Sequence, residues 1–221
     1  EYVFLNPSGG GIALLTTTRL AYASYNEALN KSFYNKAFDN SAGRLLTLWE
    51  LIAHCKTDNG SVSYLRHFLL MGDPALTMTI PMHQVVTSEI NGVDVTSFSD
   101  TISALKHVTV KGYIADRNGL KLKYFNGVLY PTVYDKSFNL QTLANNPAEN
   151  YVASFSLRKN VIYKGKASVV NGDFSFSFIV PKDIQYSYGK GKISYYAENG
   201  IIDATGWFDD FIINSTKKSC Y

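Results

Sequence analysis

The sequence has few cysteines and no long apolar run, and each shortage excludes a class of protein. Among its 221 residues only Cys55 and Cys220 could form a disulfide, and they lie far apart, so a disulfide framework is not expected. No apolar stretch approaches the ~18 residues that a membrane-spanning helix needs. Residues 1–7 also lack the basic start and cleavage site of a signal peptide, so we expect the sequence to begin inside a longer chain or after a removed targeting segment.

Runs of like charge are also missing. The 21 Lys and Arg residues and the 18 Asp and Glu residues are scattered and give a net charge of +3, so no nucleic-acid partner is expected. The chain is instead rich in apolar and aromatic residues, with 46% hydrophobic and 14% aromatic content. That composition is sufficient for a buried core, and the length allows one large or two small domains.

The first part of the chain, residues 1–81, has the pattern of an α/β protein. The apolar run over residues 11–18 ends in β-branched residues and predicts a strand buried on both faces of a mostly parallel sheet. Apolar residues at spacings of three and four then predict helices over residues 26–39 and 45–55. Ser41 is the expected N-cap of the second helix.

Two further elements are predicted before Pro81. Residues 61–70 have helical spacing and predict a short third helix, and residues 77–80 predict a strand. A strand, helices and a second strand in this order are typical of α/β proteins.

The second part, residues 82–221, is predicted to contain only strands. Asn-Gly pairs that favour tight hairpins recur along it, at residues 91–92, 118–119, 126–127, 171–172 and 199–200. Phe174, Phe176 and Phe178 alternate with serine, which indicates a strand with one buried face. We therefore predict an immunoglobulin-like or fibronectin-like β-sandwich.

A resemblance to a known family begins at residues 71–76. The sequence Gly72-Asp73-Pro74 resembles a closing motif of the gingipain-like (C25-type) cysteine peptidases, in which a helix ends and the last strand of the catalytic domain follows. Glycine suits the position just after a helix, and a residue before proline is pushed out of the helical region.

Further stretches extend the resemblance over most of the chain. Residues 6–19 are similar to the strand that follows the catalytic cysteine in this family. Residues 162–167, 176–184 and 191–197 are similar to the PorU-type sortases of the type IX secretion system. The resemblance implies the C-terminal part of a caspase/gingipain-like α/β domain at residues 1–81, followed by the immunoglobulin-like sandwich at residues 82–221.

The resemblance also implies a function, partners and a location. The parent protein would be a cysteine endopeptidase at the bacterial outer membrane and cell surface, which removes the C-terminal signal domain of secreted cargo. Its partners would be those signal domains, other components of the secretion system and an anionic lipopolysaccharide. No cofactor and no metal are expected, because Asp209 and Asp210, the one candidate pair of carboxylates, fit a solvated strand edge.

The catalytic pair itself is expected outside this sequence. In the family pattern the catalytic His and Cys precede the strand at residues 11–18, so both would lie upstream of Glu1. Cys55 follows His54 within a predicted helix, where neighbouring side chains point about 100° apart and do not face each other as nucleophile and base. The sequence therefore predicts a structural Cys55 and a fragment that is inactive alone.

The residues after the first strand are the candidate substrate-binding residues. Strand ends in an open α/β sheet border the ligand crevice, so Thr17, Thr18 and Arg19 are expected beside the nucleophile. By resemblance, Tyr22 stands where gingipains carry an aromatic pocket wall, with Tyr here in place of Trp. The alternatives are that Tyr22 packs at an interface and that Arg19 is a solvated strand end.

A second class of function stays open at this point. The chain could be a non-catalytic surface module that binds protein or carbohydrate through an exposed tyrosine-rich face. A cysteine and a histidine in the genomic sequence before Glu1 would favour the peptidase.

Overall fold

The computed structural model describes residues 9–39, 44–59, 63–145, 151–184 and 187–214, with the side chain of Tyr64 outside that description. The chain divides into two compact units, Glu1–Ile80 and Pro81–Tyr221, here called the α/β unit and the β unit. Within the described ranges, no helix is long and apolar enough to cross a membrane.

The α/β unit contains two helices, a two-stranded sheet and a short 3-10 helix. In chain order these elements are β1 Ala13–Thr17, α1 Ala23–Ala37, α2 Leu48–Asp58, the 3-10 helix Ser63–His67 and β2 Phe68–Gly72. The two helices pack together, and β1 pairs antiparallel with β2 so that Thr17 lies opposite Phe68. Two small buried clusters, one around Leu29 and one around Leu51, form the core of this unit.

The prediction that the first strand lies within a mostly parallel sheet is wrong for the described residues. There β1 pairs with β2 alone, and the pairing is antiparallel. Leu14 on β1 is 43% exposed, so the strand is not buried on both faces. An apolar run shows that a strand can be buried, but it does not identify the neighbouring strand.

Two other predicted elements of this unit also differ. The third helix is only a 3-10 turn, and its last residues form β2, because pairing with β1 overrides a weak helical spacing. The strand predicted over residues 77–80 is reduced to one bridge between Thr77 and Thr47. Ser41, the predicted N-cap of the second helix, lies outside the described residues.

The N-cap of α2 is Thr47. Its hydroxyl accepts a hydrogen bond from the Glu50 N–H, and the Glu50 carboxylate accepts one from the Thr47 N–H at 2.8 Å. This reciprocal capping box starts the helix six residues later than Ser41 would. The Arg44 guanidinium donates to both Glu50 oxygens and fixes the carboxylate in place.

The β unit consists of fourteen short strands in the described residues. They are β3 His83–Ile90, β4 Val93–Asp94, β5 Thr101–Ser103, β6 His107–Ala115, β7 Gly127–Tyr134, β8 Phe138–Gln141, β9 Ser154–Leu157, β10 Val161–Lys164, β11 Ala167–Val170, β12 Asp173–Ile179, β13 Gly189–Lys190, β14 Lys192–Glu198, β15 Asp203–Phe208 and β16 Ile212–Asn214. The prediction that this part of the chain is rich in strands and free of helices is confirmed for the residues that the structure describes.

Seven of these strands form a closed, barrel-like sheet. Their order is β7, β11, β12, β6, β3, β15 and β14, and β14 pairs again with β7 to close the ring. Every pairing in the ring is antiparallel except that of β15 with β3. The two separate sheets of the predicted immunoglobulin-like sandwich are therefore replaced by one closed sheet. In this ring β7 hydrogen-bonds to β11 on one side and to β14 on the other.

Alternation along the strands places the core inside this ring. Phe174, Phe176 and Phe178 are buried, while the serines between them face outward, as predicted. Neighbouring rings of the three stack on each other, and Phe176 and Phe178 also stack on Tyr163, whereas Tyr195 meets Phe174 at a tilt and Phe176 edge-on. Aromatic stacking of this kind adds about 0.5–1.5 kcal/mol per pair beyond the buried area.

Four of the five predicted Asn-Gly turns have the expected backbone. Gly92, Gly119, Gly172 and Gly200 all have positive φ, and Asn91 and Asn171 do as well. The fifth prediction is wrong, because Gly127 begins β7 with an ordinary φ. A Cβ on Gly127 would lie 2.1 Å from the Glu198 carbonyl oxygen, so glycine is needed there for close strand contact.

Candidate functional site

The predicted site lies in the segment that joins β1 to α1. The Thr17 hydroxyl donates to the Arg19 carbonyl at 2.7 Å and closes a tight turn at the end of β1. Thr18 is tied to a second segment, because its backbone N–H donates to the His67 carbonyl at 2.9 Å. The Arg19 side chain is exposed. The structure thus brings Thr17, Thr18 and Arg19 together in one ordered turn.

Tyr22 lies at the start of α1 and not in that turn. It occupies the N-cap position of the helix with extended backbone angles, and the helix has no side-chain cap there. Its side chain is 59% exposed, and its ring contacts Tyr25 edge-on with 6.1 Å between centroids. An aromatic with this exposure is not a core residue of the α/β unit.

His67 is a residue that the sequence did not point to. Its carbonyl accepts from both the N–H and the hydroxyl of Thr18, the latter at 3.3 Å. The contact joins the last residue of the 3-10 helix to the turn after β1, across 49 residues of sequence. No local pattern predicts a backbone contact at this separation.

The Gly72-Asp73-Pro74 motif has a different local setting from the predicted one. Gly72 ends a strand, β2, and does not follow a helix. Its φ is +139°, and a Cβ there would lie 2.9 Å from the Cβ of Ala13. Glycine is required at this position both by the backbone angle and by the close approach of β1.

The rest of the motif caps α2. The Asp73 carboxylate accepts from the Ala75 N–H at 2.9 Å and holds a tight turn. The carbonyls of Pro74 and Leu76 then accept the N–H groups of Trp49 and Leu48 at 3.1 and 2.8 Å. Together with Thr47, the turn satisfies the N–H groups of residues 48–50 that have no partner within the helix.

Cys55 and His54 do not form a catalytic pair. The Cys55 side chain is fully buried beside Leu29, Leu65 and Phe68, whereas His54 is exposed. Burial raises the pKa of the Cys55 thiol, so the reactive thiolate is disfavoured. The prediction of a structural Cys55 fits this environment. Cys220 lies outside the described residues.

Carboxylates, histidines and cysteines are not gathered into a metal site in the described part of the chain. No group of three or more such residues has the arrangement to hold an ion. Asp210 instead pairs with Lys190 at 2.8 Å on the surface of the β unit.

The comparison with protein families identifies the class of protein. Residues 1–79 match the model of peptidase family C25. The match covers the β1 strand, the turn after it and the Gly72-Asp73-Pro74 motif. It confirms the resemblance to the gingipain-like cysteine peptidases.

A solved structure identifies a particular relative. The chain is similar to the dimeric latent PorU from Porphyromonas gingivalis, with 30% identity and a TM-score of 0.55, over 94% of this chain and 20% of that chain. The chain thus spans about a fifth of the length of that relative. A weaker likeness, with a TM-score of 0.37 and 11% identity, is to the sporulation control protein Spo0M from Bacillus subtilis, over 62% of this chain and 51% of that one. None of the curated proteins compared with the sequence matches it.

Proposed function

We propose that the chain is a C-terminal portion of a PorU-like cysteine endopeptidase, a sortase that removes the C-terminal signal domain of type IX secretion cargo. The observation that carries the proposal is the similarity to PorU over 94% of this chain at 30% identity, together with the C25 match at residues 1–79. The similarity includes both the α/β unit and the β unit, so the two would occur together in the parent protein.

The partners and location follow from the same proposal. The parent enzyme would act at the bacterial outer membrane and cell surface. It would meet cargo signal domains, other components of the secretion system and the anionic lipopolysaccharide to which cargo is coupled. The relation to PorU supports these assignments.

Within the parent enzyme, the turn after β1 would border the active site. Its backbone is held from two sides, by the Thr17 hydroxyl and by the His67 carbonyl. A fixed turn can present Arg19 to an extended peptide without a large loss of conformational entropy on binding, and Tyr22 follows it at the N-cap of α1. Tyr22 offers a flat apolar surface for one substrate side chain.

The chain on its own would not hydrolyse peptides. Cysteine-peptidase chemistry needs a thiolate and an imidazole within hydrogen-bonding distance. The one cysteine in the described residues is buried and is held as a thiol. The catalytic pair would come from the part of the parent enzyme that precedes β1.

The experiment compares the 221-residue chain with the full-length parent protein. The substrate is a purified cargo protein with its signal domain, and cleavage is followed by mass spectrometry. We expect cleavage by the parent, loss of cleavage after iodoacetamide treatment, and none by the chain. Cleavage by the chain, or a parent whose activity resists thiol alkylation, would contradict the proposal.

A further inference from the structure

The outer face of the β unit carries a row of aromatic rings across three neighbouring strands. Tyr130 on β7 lies directly opposite Tyr196 on β14, and Trp207 on β15 lies opposite Ser194 of the same strand. All three point away from the core, because the residues between them, such as Tyr195 and Ala197, are buried. We call Tyr130, Tyr196 and Trp207 the aromatic row.

The rings of the row are held in place but remain accessible. The centroids of Tyr130 and Tyr196 are 6.2 Å apart with the ring planes tilted by 33°. The Tyr130 hydroxyl donates to the Glu198 carboxylate at 3.1 Å, which fixes that ring. Trp207 is 63% exposed and Tyr196 is 43% exposed. Large aromatic side chains with this exposure have no structural role in the core of the barrel.

A groove runs beside Trp207. The parallel pairing of β15 with β3 covers only Ala204 and Thr205, and the surface next to it opens into a groove of about 450 Å³. Outward-facing Gln84, Val86 and Thr205 line it together with Trp207. The groove therefore offers the Gln84 amide next to an exposed indole ring, and the Thr205 hydroxyl, which donates to the Tyr195 carbonyl at 3.2 Å, can accept a further hydrogen bond.

The charges along the row balance each other. The Lys166 amine lies 5.2 Å from the centre of the Tyr130 ring, and the Lys192 amine lies 5.6 Å from that of Trp207. Two carboxylates, Glu198 and Asp203, face each other across β14 and β15 at one end of the row. This surface thus lacks the excess of one sign that would attract a highly charged polymer.

The residue types on this surface indicate which class of ligand it can bind. Protein-binding surfaces are apolar at their centre, whereas here aromatic rings alternate with Ser194, Thr205 and Gln84. Sugar rings have an apolar C–H face that stacks on aromatic rings and a rim of hydroxyls that need hydrogen-bond partners. We propose that the aromatic row and its groove form a binding site for an uncharged, extended glycan chain.

The geometry also favours one shape of glycan. The row crosses three neighbouring strands, which are spaced by about 4.8 Å, so its rings follow one another over a short distance on the outer face of the closed sheet. A flat ribbon of β-1,4-linked sugars can contact all three rings at once, whereas an α-1,4-linked chain coils away from the surface. This site is separate from the peptidase function proposed above and stands without it.

The test uses the 221-residue chain with cellohexaose and chitohexaose as probes and maltohexaose as the comparison. The chain has two tryptophans, so a Trp49→Phe background leaves Trp207 as the fluorescent reporter. We expect saturable quenching by at least one of the β-1,4-linked probes. Calorimetry should show at least tenfold weaker binding for Trp207→Ala and for Tyr196→Ala. Tyr124→Ala, which removes another exposed aromatic of the β unit, should bind normally.

Several results would overturn this proposal. They are the absence of saturable binding to both β-1,4-linked probes, unchanged binding by a folded Trp207→Ala variant, and equally tight binding of maltohexaose. Analytical ultracentrifugation can give a fourth result that would overturn the proposal. A dimer that forms with rising concentration and disappears in Trp207→Ala would identify the row as a protein contact instead.

Discussion

The hydroxyl groups of Thr87 and Tyr195 meet inside the β unit with 2.8 Å between their oxygens. Both side chains are buried, and β3 and β14, which carry them, are separated in the ring by β15. Burial raises the pKa of Tyr195, so its hydroxyl stays protonated at physiological pH. Each hydroxyl is thus a hydrogen-bond partner for the other across the apolar interior.

We expect Thr87→Val to lower the free energy of unfolding by about 1–3 kcal/mol, because it removes the partner of a buried hydroxyl. Tyr195→Phe should cost a similar amount. The double variant should lose less free energy of unfolding than the sum of the two single losses, since no buried hydroxyl then remains without its partner. Urea unfolding followed by Trp207 fluorescence in the Trp49→Phe background measures all three. Strictly additive costs would show that the hydrogen bond contributes nothing.

Gly112 allows β6 to pack against its neighbours. A Cβ there would lie 2.1 Å from the Val86 carbonyl oxygen and 2.5 Å from the Phe174 ring, so Gly112→Ala forces the strands apart. We expect a loss of about 1–3 kcal/mol, as for other overpacked cores. Lys111→Ala is the matched control, since it removes only an exposed ion pair with Glu89. A Gly112→Ala variant as stable as the control would contradict this account.

Local patterns account for much of the β unit. The alternation of Phe174, Phe176 and Phe178 with serine showed which face of β12 is buried, because a strand has a period of two. The Asn91-Gly92 and Asn171-Gly172 turns were predictable, since glycine and asparagine accept positive φ. These are properties of a few adjacent residues, and the sequence contains them directly.

Closure of the barrel was not predictable in the same way. It depends on the parallel pairing of β15 with β3, which are more than 110 residues apart in sequence and share only two paired positions. The contact of Thr18 with the His67 carbonyl is a similar case, because a backbone carbonyl has no sequence signature. At the candidate site the sequence indicated the segment after β1 but not the residue that holds it.

Glu50 makes the stability of α2 sensitive to acid. The Arg44 guanidinium and then the Thr47 N–H lower the pKa of the Glu50 carboxyl to about 2. The pKa is about 4.3 in an unfolded chain, so the stabilisation is complete above that pH and is lost as the pH falls towards 2.

The measurement for Glu50 is thermal unfolding followed by helical circular dichroism. The difference in melting temperature between the protein and Glu50→Gln should be largest above pH 5 and should shrink between about pH 4.3 and 2. Arg44→Gln keeps the capping box and should move the loss to higher pH. A difference that does not change with pH would show that the Glu50 charge does not stabilise the helix.

Cys55 should resist alkylation while the chain is folded. Its thiol is buried, and burial raises its pKa, so both access and thiolate formation are disfavoured. In a Cys220→Ser background, iodoacetamide should label Cys55 only after denaturation. Introducing His54→Cys at the exposed neighbouring position should add one rapidly labelled site, as seen by mass spectrometry. Rapid native labelling of Cys55 would contradict the buried environment.

Replacing Tyr22 with alanine tests whether this side chain is a pocket residue or a packing residue. Its side chain is 59% exposed within the described structure of the α/β unit, so Tyr22→Ala should leave the melting temperature of this chain nearly unchanged. A buried aromatic cut to alanine would instead cost about 3–5 kcal/mol. If Tyr22 forms a wall of the substrate pocket, the same change in the full-length parent should lower kcat/KM for cargo cleavage by about tenfold, or about 1.4 kcal/mol.

The matched control for Tyr22 is Tyr34→Ala, because Tyr34 is also on α1, is 57% exposed and stacks on the exposed Phe38. Tyr34→Ala should leave cargo cleavage unchanged, since nothing places Tyr34 near the turn after β1. Cleavage assays on the two full-length variants, with melting curves for each, separate the possibilities. Equal kcat/KM for both variants and the parent would leave Tyr22 as a surface residue. A large fall in the melting temperature of Tyr22→Ala, with normal cleavage by the folded fraction, would make it a packing residue.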